Sequence, residues 1–186
     1  MSVALKTFST KNYNKGKGKF IQLIWVFFNA LFLKNSWFIF MGFKVFLLRC
    51  FGAKIGQGIV IKPNVNIKFP WKLVLGNDVW IGEGVWIDNL DQVTIGNDVC
   101  ISQGALLLTG NHDYKSSSFD YNNAPIFVEN GVWIGAKSVV CPGVICKNES
   151  ILTVGSVATK GLEACGIYQG NPALLIRKRK YKTNLI

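Results

Sequence analysis

His112 is the only histidine among 186 residues, and it stands between Asn111 and Asp113 in the string TGNHDY. An unperturbed imidazole titrates near neutrality, so a neutral histidine in a polar loop can accept a proton from a weak acid such as a hydroxyl. A single imidazole also excludes metal sites built from two or three histidines. No metal is expected. The five cysteines (Cys50, Cys100, Cys141, Cys146, Cys165) are odd in number and include no CxxC pair. They are too sparse for the disulfide framework of a small secreted domain, which fits reduced thiols in a cytoplasmic protein. None lies in a recognisable nucleophile motif.

The elements that must position His112 show in the spacing of apolar residues. A six-residue step runs through Ile55, Ile61 and Ile67, resumes after a two-residue insertion at Leu75, Ile81 and Ile87, and after a second two-residue insertion at Ile95, Ile101 and Leu107. It resumes at Val128, Ile134, Val140, Cys146, Leu152 and Ala158. Thirteen of these fifteen lead positions are Ile, Leu or Val. In each hexad the lead residue and the one two before it are apolar or small, so both can point inward from a short extended segment. Three such segments joined by three corners make one coil of a triangular prism. Successive coils stack as parallel strands about 4.8 Å apart. The expected fold is an all-β solenoid, because a sandwich or barrel would show turns every 8 to 12 residues instead of a strict step of six. One stretch breaks the step, LTGNHDYKSSSFDYNNAPIF. It is a polar insertion carrying the histidine near its start, and loops that interrupt rigid scaffolds commonly carry function.

Outside the repeats the charge is uneven. Residues 1–54 hold nine basic residues and no acid, 55–171 hold seven basic and ten acidic, and 172–186 hold five basic and no acid. The whole chain carries +11, with 49% hydrophobic and 17% charged residues. That composition excludes a disordered chain, and the basic ends suggest contact with an anion such as a phosphate-bearing cofactor, a membrane surface or nucleic acid. From Phe20 to Phe51 the chain holds eleven of its twenty-four aromatic residues. Their near-continuous apolar setting fits core or membrane contact and not base-stacking platforms, so nucleic acid is not expected. The run before Lys34 is too short for a confident bilayer span. A helix packed on the body or a partner, and a helix lying on the inner leaflet through residues 15–48 with Lys15, Lys17 and Lys19 toward lipid, both remain open. The organisation read from the sequence is an N-terminal basic, aromatic-rich segment at 1–54, a repeat body at 55–160 with an inserted loop at 108–127, and a C-terminal basic tail at 161–186.

The strings FGAKIGQGIVIKPNVNIKFPW, WIGEGVWIDNL, VTIGNDVCISQGA, TGNHDY, GVWIGAKSVVCPGV and GNPALLIRK resemble the hexapeptide-repeat acyltransferases, most closely exopolysaccharide acetyltransferases of the colanic-acid type. The resemblance implies a left-handed parallel β-helix. It also implies acetyl-CoA as co-substrate and a homotrimer with active sites between neighbouring prisms. Acyl transfer from a thioester to a sugar hydroxyl needs a base for the hydroxyl and no covalent enzyme intermediate. His112 is accordingly expected as general base in a direct transfer, with a backbone N–H stabilising the oxyanion.

By the same resemblance Glu83, Asp88 and Asn89 are candidates to face the acceptor. Asn111 and Asp113 would orient the base or the acceptor, or else shape the loop through local bonds. The pantetheine would lie along Trp133, Gly135, Ala136, Gly155, Ser156, Thr159 and Lys160, and Arg177 would meet the nucleotide phosphates. The function expected is O-acetylation of a sugar in a surface polysaccharide or its lipid-linked precursor. N-acetylation of an amino sugar or another small acceptor is the alternative within enzymes, and a non-catalytic membrane- or nucleic-acid-binding solenoid is the alternative outside them.

Overall fold

The structure, a computed structural model, describes residues 3–10 and 13–181. Its body is a parallel β-solenoid of about six turns with three faces. Face A stacks Lys54–Ile55, Leu73–Leu75, Val93–Ile95, Ile126–Val128 and Ile145–Cys146. Face B begins Val60–Ile61, Trp80–Ile81, Cys100–Ile101, Trp133–Ile134 and Ile151–Leu152. Face C stacks Asn66–Ile67, Trp86–Asp88, Leu106–Leu108, Val139–Val140 and Val157–Ala158.

The fifteen lead residues form three vertical ladders of five. Ile55, Leu75, Ile95, Val128 and Cys146 are in register on face A. Ile61, Ile81, Ile101, Ile134 and Leu152 are in register on face B, and Ile67, Ile87, Leu107, Val140 and Ala158 on face C. All but Ile55 are buried. Full burial of an Ile, Leu or Val side chain contributes about 1.5–3 kcal/mol, so these ladders dominate the core. A polar ladder runs up the edge between faces A and B. The amide oxygens of Asn77, Asn97, Asn130 and Asn148 each accept the backbone N–H of the residue one coil below, at 2.8–3.0 Å.

Two helices, α1 (Lys19–Phe28) and α2 (Met41–Cys50), close the lower end. A short π-helical turn, Asn29–Leu33, extends α1. Lead carbonyls normally accept from the coil below, as Gly56 N–H does for Leu75, Lys62 N–H for Ile81 and Lys68 N–H for Ile87. The first coil has nothing below it. Its lead carbonyls take side-chain donors from the helical segment instead, one on each face. Arg49 Nη2 donates to Ile55 O at 2.9 Å. Lys44 Nζ reaches Ile61 O at 3.5 Å and Lys62 O at 3.0 Å, and Trp25 Nε1 donates to Ile67 O at 2.9 Å. Edge carbonyls that have no coil below them are thereby satisfied. Burial lowers the Lys44 ammonium from its ordinary pKa, the cost of placing a charge there.

Past Ala158 the chain makes more than a tail. Gly166–Gly170 adds to face B in parallel with Ile151–Leu152, and Ala173–Lys178 returns antiparallel to it. This hairpin has no six-residue step, so periodicity could not announce it. Residues 182–186 of the predicted tail, like 1, 2, 11 and 12 of the predicted N-terminal segment, lie outside the described residues.

Candidate functional site

The inserted loop leaves the prism at the edge between faces C and A and returns at Ile126. His112 Nδ1 lies 2.7 Å from the carbonyl oxygen of Phe119. A carbonyl only accepts, so Nδ1 donates to it, and in the neutral form of such a ring Nε2 is the acceptor. Phe119 holds a left-handed backbone, φ 53°, uncommon for a bulky side chain and typical of functional sites. The Phe119 ring also stacks on the imidazole at 4.3 Å between centroids and 6° between planes. Tyr121 stacks on it at 4.9 Å and pairs with it in an isolated antiparallel bridge.

The segment before α1 reaches back across this loop. Ala4 N–H donates to Ser117 O at 2.9 Å. Phe8 packs against both His112 and Tyr121, at 5.5 and 5.2 Å, and Tyr13 packs against Tyr121 at 4.9 Å. The Tyr13 hydroxyl donates to Leu90 O. Burial first, then the nearby Tyr121, Asp91 and Asp88, push the Tyr13 phenol above its ordinary value, so it stays protonated as a donor. Lys72 fastens the segment to the coil, with Nζ 2.6 Å from Leu90 O and 2.8 Å from Asn14 O. Trp71 Nε1 adds a bond to Lys15 O. No spacing rule connects residues 8 and 13 to a loop a hundred positions away, and the sequence reading missed them.

The residues expected to face the acceptor divide. Asp88 sits in the coil below the loop, ion-paired to Lys68 Nζ at 2.9 Å, with Oδ2 beside Gly110 at the loop entrance. Its own carbonyl accepts from Thr109 N–H and Oγ1, which anchors the start of the loop. Asn111 Oδ1 accepts the His112 N–H at 2.9 Å, and Asp113 Oδ1 accepts the Lys115 N–H at 3.0 Å. Both are local bonds from a side chain to the backbone of the same loop. Asn89 requires a correction, because it is fully buried and its amide is spent inside the chain. Nδ2 donates to Phe69 O at 2.7 Å and Lys72 O at 3.1 Å, and Oδ1 accepts Phe69 N–H at 2.9 Å. Both of its N–H donors are used there, and no part of the side chain is exposed to meet a sugar. Glu83 lies at the edge between faces B and C, taking a bond from Asn64 Nδ2, so one prism does not bring it to His112.

The donor-side candidates also fall on different parts of the prism. Trp133 stands exposed on face B with Nε1 bonded to Ser102 Oγ at 2.9 Å. Gly135, Ala136, Gly155 and Ser156 line the B–C edge, while Thr159 and Lys160 are exposed on the same C–A edge as His112, higher up. Gly135 has a structural reason to be small, since a Cβ there would come within 2.6 Å of Val154 N in the next coil. Gly155, at φ 66°, faces open space instead. Ser156 is buried, and its Oγ accepts Gly170 N–H at 3.0 Å. Arg177 lies exposed on the final strand, whereas Arg179 is tied to Glu149 at 2.9 Å. Among the described residues there is no group of three or more His, Cys, Asp or Glu able to hold a metal ion.

No family model matches the chain. The colanic acid biosynthesis acetyltransferase WcaF of Escherichia coli (strain K12) is 37% identical over 169 residues, covering 91% of this chain and 92% of that protein. Galactoside O-acetyltransferase of the same organism is 28% identical over 130 residues, covering 68% of this chain and 64% of that protein. Among solved structures, the hexapeptide-repeat acetyltransferase of Vibrio cholerae O1 biovar eltor complexed with acetyl coenzyme A superposes with a TM-score of 0.81. It is 20% identical and covers 95% of this chain and 97% of that one. Galactoside acetyltransferase in complex with coenzyme A gives a TM-score of 0.77 at 22% identity, covering 86% and 81% of the two chains. The ladders of fifteen leads and the relationship to WcaF along nearly the whole length agree: the chain belongs to the hexapeptide-repeat acetyltransferases with a left-handed parallel β-helix.

Proposed function

We propose that this acetyltransferase moves the acetyl group of acetyl-CoA onto a sugar hydroxyl of a surface polysaccharide or its lipid-linked precursor, with His112 as general base. The observation that carries this reading is the Nδ1 bond to Phe119, which reserves Nε2 for the incoming hydroxyl. The hydroxyl oxygen attacks the thioester carbonyl as Nε2 takes its proton, and the proton leaves with the coenzyme A thiol. Thr159 and Lys160 stand on the His112 edge, whereas Glu83, Gly135, Ala136, Gly155 and Ser156 stand on another. A homotrimer reconciles the two sets, because the B–C edge of one prism then meets the C–A edge of its neighbour across the donor. Arg177 supplies a cation for the nucleotide phosphates. The test is acetyl-CoA turnover with a panel of hexose and amino-sugar acceptors, followed by mild alkali. An alkali-labile ester supports the proposal, and an alkali-stable amide or no transfer overturns it.

The reduced cysteines fit a cytoplasmic site, and the helices fit contact with the inner leaflet. Among the described residues no helix is long and apolar enough to cross a membrane. The outer side of the helical segment nevertheless exposes Phe20, Leu23, Phe27, Trp37, Phe40 and Phe46, each at least 60%. Lys17, Lys19 and Lys34 are exposed around them, with no acidic residue in positions 1–54. Apolar side chains beside unopposed cations suit an anionic lipid surface, each surface-proximal Lys adding about 1 kcal/mol. Co-sedimentation with anionic vesicles at low salt supports peripheral contact, and protein that stays in the supernatant overturns it.

A further inference from the structure

A cavity of about 550 Å³ opens between the N-terminal segment and the coil edge that bears His112. Its lining sets the rings of Tyr13 and Tyr121 among the short polar side chains of Asn14, Asp91, Asp120 and Asn123. Tyr121 belongs to both places, since its ring also stacks on the imidazole. Whatever fills the cavity therefore lies one aromatic ring away from the base, too far to be the reacting group and near enough to be attached to it.

The charges state what can enter. Among the described residues Lys72 is the only cation in the lining, and its three protons face Leu90 O, Asn14 O and, at 3.4 Å, the Tyr13 hydroxyl. No donor of that ammonium is left for a ligand. Asp91 Oδ1 accepts the Gln92 N–H and Asp120 Oδ2 accepts the Ser118 hydroxyl, both at 2.6 Å. Each carboxylate keeps a second oxygen, and a carboxylate oxygen can only accept. Asn123 spends its Oδ1 on Asn111 N–H and retains its NH₂ donors. Asn14 likewise spends its Oδ1 on Gly16 N–H and retains its NH₂ donors, so the unspent groups are two carboxylate oxygens and two amide NH₂ groups beside two aromatic faces. They suit a ligand with several hydroxyl donors, an apolar C–H face and no negative charge.

We propose that this cavity is an acceptor subsite for a neutral pyranose next to the sugar that is acetylated, and that Asp91 and Asp120 exclude uronic acids and sugar phosphates from it. The idea rests on the O-acetyltransferase reading, and it makes the preferred acceptor a disaccharide or longer. Charge-assisted hydrogen bonds from two sugar hydroxyls, together with the loss of repulsion, set an expected discrimination of about tenfold or more.

The experiment measures two things on the full chain with methyl glucoside, methyl cellobioside and a glucuronic-acid-terminated disaccharide. Saturation-transfer NMR without acetyl-CoA reads binding, and steady-state kinetics with acetyl-CoA reads transfer. The expected results are a KM about tenfold lower for methyl cellobioside than for methyl glucoside, weak binding of the acidic disaccharide, and a collapse of the neutral-over-acidic preference in Asp91→Asn/Asp120→Asn. The asparagines keep the Oδ acceptors used within the chain, and an unchanged melting transition confirms the fold. Transfer with no disaccharide preference, or a preference unmoved in the double variant, overturns the subsite. Binding of methyl cellobioside with the predicted selectivity but no transfer to any sugar overturns the O-acetyltransferase reading and leaves the subsite standing.

Discussion

The Phe119 carbonyl and the Phe119 ring both act on His112, the first holding Nδ1 at 2.7 Å and the second lying parallel to the imidazole at 4.3 Å. One residue in a left-handed conformation thereby sets the tautomer and the plane of the imidazole. Losing the imidazole would remove the proposed proton acceptor without touching a core ladder. His112→Ala should lower kcat by about two to four orders of magnitude and leave the melting temperature within a degree or so. A variant within a few-fold of the parent would remove His112 from the mechanism.

Arg177 is exposed on the last strand, paired there through its backbone with Ile167, and its side chain makes no hydrogen bond or ion pair with the described residues. Arg177→Ala should raise the apparent KM for acetyl-CoA several-fold while kcat stays close to the parent value, the pattern of lost uniform binding. A KM insensitive to both this change and added salt would leave the strand merely solvated.

The Trp25 indole satisfies the Ile67 carbonyl at the bottom of face C. Trp25→Phe keeps most of the packing and strands that carbonyl, so urea unfolding should show a loss of about 1–3 kcal/mol. Unchanged stability would mean that water replaces the indole there.

Asn89 holds three backbone groups of the coil below. Asn89→Leu should cost about 3 kcal/mol of stability or more, since each of the three groups left unpaired costs about 1–3 kcal/mol. If stability were unaffected and the acceptor KM rose instead, the original expectation of a sugar contact would be restored.

Burial first, and then Glu129, push the Cys146 thiol up to about 12. Only the thiolate reacts, so at pH 8 the folded protein should alkylate at the exposed Cys50 while Cys146 stays unmodified until denaturant is added. Peptide mass mapping after iodoacetamide reads both positions, and early labelling of Cys146 would contradict its place in the core ladder.

The fifteen leads were legible because every coil repeats the same packing problem, and a step of six can be counted through the insertions that swell some corners. His112 was legible as the one imidazole in the one break. Asn89 was misread because an asparagine at a corner looks alike whether it meets a ligand or a neighbouring coil, and only the coil stacked beneath it decides. Phe8, Tyr13 and Lys72 could not be read at all. Their contacts with the loop and with Leu90 join parts of the chain that share no period, and only the folded path brings them together.

Arg49, Lys44 and Trp25 answer a question that a stack of like rungs cannot answer by itself, namely where it starts. Each rung offers the next one a template, so nothing in the middle of the stack limits its growth or prevents a second molecule from joining end to end. At the bottom these three donors occupy the positions that another molecule's rung would need, and at the top the reversal into Ala173–Lys178 changes the direction of pairing. The two terminators, and not the repeat, decide the length of the molecule. A whole rung could be gained or lost between them and the remainder would still be a bounded particle.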